Sequence, residues 1–291
     1  MLHRPTISAD PCRACPARRD GLCTELGPLD LSAMRRFRSG GRRIKAGQDI
    51  FSAAAPCEAI YNLTEGWAFR YALLEDGRRQ ILDFVLPGAV LGFHPAKGAR
   101  ATYGAQALTD VSVCVIRHPD LAALSREVPQ IGFRLAWLIS RDRSLAYDHL
   151  ASIGRQSAHQ RVAHLLLELF VRYRAQWPGQ RIEEMHLPLT QEHIGDALGL
   201  TSVHVNRVLR DLRKDGIVEF HYRRLNILDP DKLIEVAETD PHLMQNWTSL
   251  PALDDVADLT APPRLPKDAS QRRNDTKKLY RGAKISAMYQ P

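Results

Sequence analysis

The apolar positions change period several times along this chain, and the changes divide it. Residues 1–30 are rich in cysteine, proline and arginine and carry neither a helical nor a strand period. Residues 31–38 (LSAMRRFR) are spaced for a short helix. From Arg42 to about Arg117, short apolar runs alternate with turn signals at Ala46-Gly47, Glu65-Gly66, Asp76-Gly77 and Pro87-Gly88. AIYNL, WAFRYALL, RQILDFVL and VSVCVI read as strands, with a hairpin turn at Glu75-Asp76-Gly77. Many short strands of this kind predict a small barrel or sandwich.

Between Pro119 and about Ile153 the period becomes helical, with apolar residues at 131, 135, 138, 139, 145, 150 and 153. Pro129 starts or kinks this segment. A helix of about 24 residues would run about 36 Å and suits a partner alongside, such as a second copy of the chain. A second helical region begins at Ser157, where apolar residues at 162, 165, 166, 169 and 170 form one stripe that ends near Pro178-Gly179. Two short helices after Thr190 and Thr201 follow, then a hairpin from IVEF and RLNIL. From about Asp240 the chain is rich in Pro, Asp, Lys and Ser and reads as a largely disordered tail.

The 291 residues are 44% hydrophobic and 25% charged, which excludes wholesale disorder and fibrous repeats. The apolar run Leu135 to Ile139 is far too short for a membrane span, and the N-terminus lacks the apolar core of a signal peptide, so a cytoplasmic location is expected. The net charge of +7 suggests nucleic acid, but residues 262–291 hold eight Lys/Arg against two Asp. The rest of the chain is therefore nearly neutral, and DNA binding has to be argued from a site.

That site is LPLTQEHIGDALGLTSVHVNRVLRDLRKDGIVEF (187–220). Thr190 is suited to cap a first helix with Ile194, Ala197 and Leu198 inward; Gly199 allows a tight turn; Thr201 caps a second helix. In the second helix Val205, Val208, Leu209 and Leu212 share one side, and Ser202, His204, Asn206, Arg207, Arg210, Arg213 and Lys214 the other. Short polar groups at the start of such a helix can reach base edges, and cations further along can meet phosphates. Arg207 is the candidate for a bidentate contact to guanine. The alternative is an ordinary helical hairpin with a solvated basic face.

This stretch resembles the winged helix-turn-helix of the CRP/FNR family of bacterial transcription regulators, and the order of the preceding segments is similar over about residues 30–235. The resemblance implies an α+β chain: a cysteine-rich segment (1–30), a cyclic-nucleotide-binding-like β-roll (31–118), a dimerisation helix (119–155), a winged helix-turn-helix (156–238) and a basic tail (239–291). It implies a homodimer on palindromic double-stranded promoter DNA, contact with RNA polymerase and no enzymatic activity. The implied DNA-facing residues are Thr190, Thr201, Ser202, Val203, His204, Asn206, Arg207 and Arg210. Val203 stands where many family members carry a Glu that reads cytosine, so the half-site should differ from the usual family motif. Ala136, Ile139, Arg143, Ala146 and Leu150 match the family's dimer seam and alternate by three and four. Arg143 would face its own copy there, needing a partner such as Asp142 or Asp148 of the other chain. The apolar stripe counted from periodicity (131, 135, 138, 145) lies one residue off this seam, so a constitutive dimer without Arg143 at the seam stays open.

The sensor's signal is read from two stretches. Cyclic-nucleotide sensors resemble one another in a Gly-Glu pair followed by Arg-Ser. Here Phe93 follows Gly92, and only Arg100, beside Ala101-Thr102, could serve a phosphate, so no cyclic nucleotide is expected. Five cysteines, an odd number in a chain too large to need disulfide staples, favour metal or redox chemistry. Cys12, Cys15 and Cys23, with Cys114 lying 91 residues after Cys23, resemble the oxygen-sensing FNR branch in its FnrN/FixK-like spacing. That branch holds a [4Fe–4S] cluster on four thiolates, and Leu22 would shield it. A structural zinc site, a thiol–disulfide switch, an Fe–S redox module and a sensor of haem-bound gas or a metabolite remain the alternatives. Cys57 reads as a small buried apolar residue, and His94, His149 and His164 as packing or surface residues. Cluster binding would tie the N-terminal segment to the β-roll and, through it, favour pairing of the long helix.

Overall fold

The computed structural model describes residues 12–93, 100–176 and 184–248. Its N-terminal half is a β-roll of two four-stranded antiparallel sheets. One sheet orders β1 (Gly40–Ile44), β8 (Val111–Arg117), β3 (Ala59–Glu65) and β6 (Val90–Leu91). The other orders β2 (Asp49–Phe51), β7 (Gly104–Ala107), β4 (Ala68–Leu73) and β5 (Arg79–Val85). The four strands expected from alternation are β3, β4, β5 and β8. β2 and β6 are too short for alternation to show, and β1 and β7 have too few large apolar residues. Ile44, Ile50, Leu63, Val85, Leu91, Val111 and Val113 fill the space between the sheets.

Helix α1 (Pro28–Phe37) precedes the roll, and α2 (His118–Glu127) and α3 (Pro129–Arg155) follow it. The segment expected as one helix with a start or kink at Pro129 is thus two. Val128, at φ −125° and ψ 83° and so outside the helical region, separates them, as the residue before a proline tends to do. With 27 residues, α3 is about 40 Å long. It has two apolar faces. Ile131, Leu135, Leu138 and Leu145 are buried against the chain's own roll and C-terminal domain, so the stripe counted from periodicity is the intrachain one. Ala136, Ile139, Arg143, Ala146 and Leu150 are all exposed. The row expected from the family resemblance is thus distinct from the buried stripe.

The C-terminal domain consists of α4 (Ala158–Ala175), β9 (Glu184–His186), α5 (Gln191–Leu198), α6 (Ser202–Lys214), β10 (Val218–His221), β11 (Arg224–Ile227) and α7 (Pro230–Ala237). Ser157 and Thr190 cap α4 and α5 through reciprocal capping boxes. It packs on the β4–β5 hairpin, where Arg79 pairs with Asp196 at 3.0 Å and Gln80 donates to the Ala197 carbonyl at 3.0 Å. The chain does not loosen at residue 239 as expected. A short helix α8 (Pro241–Met244) leads to Trp247, which is 2% exposed in the domain core. The expected basic tail from residue 249 onward lies outside the described residues, as do His94 and the Pro178-Gly179 helix end. Among the described residues, no helix is long and apolar enough to cross a membrane.

Candidate functional site

Cys12 and Cys15 lead into a 3-10 turn at Pro16–Arg18, started by the proline, and Cys23 lies in the turns that follow. Cys114 sits mid-strand on β8, opposite Gly41 of β1 and Asn62 of β3. Fold and spacing bring these four thiols, and not Cys57, to the wall of one cavity of about 410 Å³. Cys57 is buried elsewhere, its thiol donating to the Gly92 carbonyl at 3.1 Å.

The cavity is electrostatically tense. Burial drives the Cys23 thiol far above its ordinary range, and the Cys114, Cys15 and Cys12 thiols beside it push the same way. Burial lifts Cys114 to about 11, with Arg38 opposing and Cys12 and Cys15 adding to the rise. Negative sulfur at this spot needs positive charge close by. Arg38 supplies part of it, with Nη1 at 3.8 Å from Cys12 Sγ. Asn62 is buried on the wall, and among the described residues its Oδ1, an acceptor, has no partner. Neither Arg38 nor Asn62 was legible as a site residue, because each stands in an unremarkable strand or helix context. Among the described residues, no three His, Cys, Asp or Glu side chains close on a point that one metal ion could fill. The donor set is four soft thiols lining one cavity, which suits an iron–sulfur group or zinc. Leu22 does not line the cavity; it is fully buried in the core with Leu26, Met34 and Ile131.

The stretch where a cyclic nucleotide would be gripped is differently built. Arg100 donates outward to the Ala54 carbonyl at 3.0 Å, and Ala101 is buried. Where the roll meets α3, Arg70 is buried between Asp83 at 2.7 Å and Asp142 at 2.5 Å. Asp142 is therefore committed within its own chain, and Asp148 accepts from Trp247 at 3.0 Å. Each of the two carboxylates expected to serve Arg143 across a dimer thus already has one partner in its own chain.

The second site is α6. Thr201 accepts from the His204 amide at 3.2 Å, Thr190 from the His193 amide, and Gly199 takes φ +66° at the turn between the helices. Val205, Val208, Leu209 and Leu212 are buried; Ser202, Val203, His204, Arg207 and Arg210 are exposed and Asn206 half-buried. Val203 is 71% exposed, so an apolar side chain stands at the reading end of this helix. Arg213 pairs with Glu219 at 3.2 Å and meets His221 at 2.6 Å on the hairpin. That hairpin turns at Tyr222 and Arg223, both at positive φ, with Tyr222 95% exposed. The lack of the usual Asn-Gly pair hid this tip from the sequence. His149 and His164 are packing residues, bonded to the Ala197 carbonyl and the Thr239 hydroxyl.

Residues 160–236 match the Crp-like helix-turn-helix domain and residues 41–127 the cyclic nucleotide-binding domain. The chain is 33% identical to the nitrogen fixation regulation protein FixK of Bradyrhizobium diazoefficiens, over 78% of this chain and 93% of FixK. It is 33% identical to the transcriptional activatory protein AadR of Rhodopseudomonas palustris, over 81% and 98%. The structure of FixK2 from Bradyrhizobium japonicum is similar at a TM-score of 0.61 and 30% identity, covering 69% of this chain and 98% of that one. These relatives are regulators rather than enzymes. With a β-roll, a long helix and a winged helix-turn-helix in this order, the chain belongs to the CRP/FNR family of DNA-binding transcription regulators, and its relatives support the FNR-type branch.

Proposed function

We propose that this regulator senses oxygen through a [4Fe–4S] cluster on Cys12, Cys15, Cys23 and Cys114, and that the cluster governs binding of a homodimer to a palindromic promoter site. The observation that carries the reading is the convergence of these four thiols, far apart in sequence, on one cavity. A bound cluster supplies an oxygen-labile tie between the N-terminal segment and β8. The chain's own part is to hold the thiols at a rigid strand and a docked loop, and to offer the Arg38 guanidinium at the wall. A structural zinc ion on the same four thiolates is the second reading.

The exposed row Ala136, Ile139, Arg143, Ala146 and Leu150 supports pairing of α3 with its copy. Each α6 would then enter one half-site, with Arg207 as the base-reading cation and Arg210 on phosphate. RNA polymerase is the expected protein partner, and the engaged Arg100 argues against a cyclic nucleotide.

The test is iron and sulfide analysis of protein purified without air. The expected result is about four of each per chain, a brown colour that bleaches in air, and loss of both in Cys114→Ala but not in Cys57→Ala. A colourless, zinc-loaded protein would overturn the cluster.

A further inference from the structure

We infer that Arg134 and Arg141 are positioning residues that couple the Cys23 loop directly to the dimer-forming face of α3. The proposal rests on the cluster reading only for the identity of the signal. Two arginines lie seven residues apart on the inward face of α3, about 10.5 Å along its axis. They are 3% and 8% exposed, among Ile131, Leu135, Leu138 and Leu145. Packing alone would be better served by leucine, because a buried guanidinium costs desolvation that only a close partner offsets.

Both have such a partner on the cysteine loop. Arg141 Nη1 donates to the two carboxylate oxygens of Asp20 at 2.9 and 3.1 Å, and its guanidinium lies 5.1 Å from the Trp137 ring centroid. Arg134 Nη2 donates to Glu25 Oε2 at 2.8 Å. Asp20 and Glu25 bracket Cys23 in the sequence, and Leu22 is fully buried in the same core as α3. The loop cannot slide, because Gly21 rests on Gly88: a Cβ at residue 21 would lie 2.6 Å from the Gly88 carbonyl oxygen. The loop that carries the third thiol is thus charge-clamped to the dimer helix without the β-roll as intermediary.

Ala136 and Ile139 of the seam lie between the two arginines in sequence, and Arg143 lies just beyond them. A loop that loses its order withdraws both carboxylates. It takes the carboxylate partner from the buried Arg141 and one partner from Arg134, which favours a turn or tilt of the helix that hydrates the guanidinium. The seam moves with it. Order around Cys23 and presentation of the seam are therefore one equilibrium.

The test uses the full chain, purified without air, and reads two quantities in parallel: iron per chain and the dimer dissociation constant from sedimentation. Asp20→Asn with Glu25→Gln removes the charges without touching the helix. The expected outcome is wild-type iron with a dissociation constant raised by about tenfold or more. The swap Asp20→Arg with Arg141→Asp should bring back part of the loss, which a merely misfolded variant would not show. An unchanged dissociation constant in the double variant overturns the clamp. So does weakening only in step with lost iron, which would place the effect on cluster binding. Absence of iron from the wild-type protein removes the sensor reading alone, and the same dissociation constants still decide the clamp.

Discussion

The indole nitrogen of Trp247 donates to Asp148 Oδ2 at 3.0 Å, tying the last described turn of the chain to α3. The Trp247 ring also meets the edge of His164 at 5.5 Å between centroids. This strap lies beyond residue 236, where the match to the DNA-binding domain ends. It holds that domain against α3.

Trp247→Ala should therefore destabilise the protein by about 3–5 kcal/mol, and Trp247→Phe, which mainly loses the hydrogen bond, by about 1 kcal/mol. Urea unfolding measures both. A loss below that of Trp247→Phe in the alanine variant would show the strap to be peripheral.

The same junction should weaken in acid. Burial holds the His164 imidazole below its ordinary pKa, despite Glu168 and Asp148 nearby. The unfolded chain then binds a proton more readily than the folded one. Its contribution to stability is full above pH 6.5, the ordinary value, and is lost as pH falls through that value towards the lower folded one. His193, also lowered by burial, acts in the same window. Comparing urea midpoints at about pH 7.5 and about pH 5.5 should show a smaller acid loss in His164→Gln than in wild type. Equal losses would assign the acid sensitivity to other groups.

On α6 the roles separate by substitution. Arg207→Ala should weaken binding to the cognate site by about 1–3 kcal/mol and relax discrimination at one base pair, whereas Arg210→Ala should weaken all sequences alike and lower the salt slope by about one. Val203→Glu restores a hydrogen-bond acceptor at the exposed first turn and should shift preference towards cytosine. Fluorescence anisotropy across single-base variants of the site reads each outcome. Identical base profiles for Arg207→Ala and wild type would remove Arg207 from base reading.

Arg143 is exposed, and among the described residues it makes no ion pair, since Asp142 is held by Arg70. Two copies meeting at a seam would repel. Arg143→Leu should then yield dimers even in iron-free protein, tightening association by about 1–3 kcal/mol. Sedimentation of air-exposed protein checks this, and monomers in the variant would place Arg143 outside the seam.

The strands and helices with clear periods were legible because burial on one face leaves a repeating mark. The pairing of Arg134 and Arg141 with Asp20 and Glu25 was not, because charged residues on an apolar face look like interruptions until their partners are located in space. Val128 illustrates the boundary problem: proline chemistry flagged a break near 129, but a start and a kink leave the same trace. The cysteine spacing pointed to a shared site, but the neighbouring Arg38 and Asn62 come from separate elements that only folding brings together. Trp247 was lost among polar tail residues, where composition outweighed one large apolar side chain.

The backbone contact of Gly21 with Gly88 gives this regulator two vulnerable codons that encode no cysteine. Even one methyl group at either would act as a wedge, prising the leading loop from the roll that bears Cys114. Lineages that keep the response should therefore be intolerant of change at both, while a relative that has abandoned it could accumulate larger residues there with its DNA reader intact.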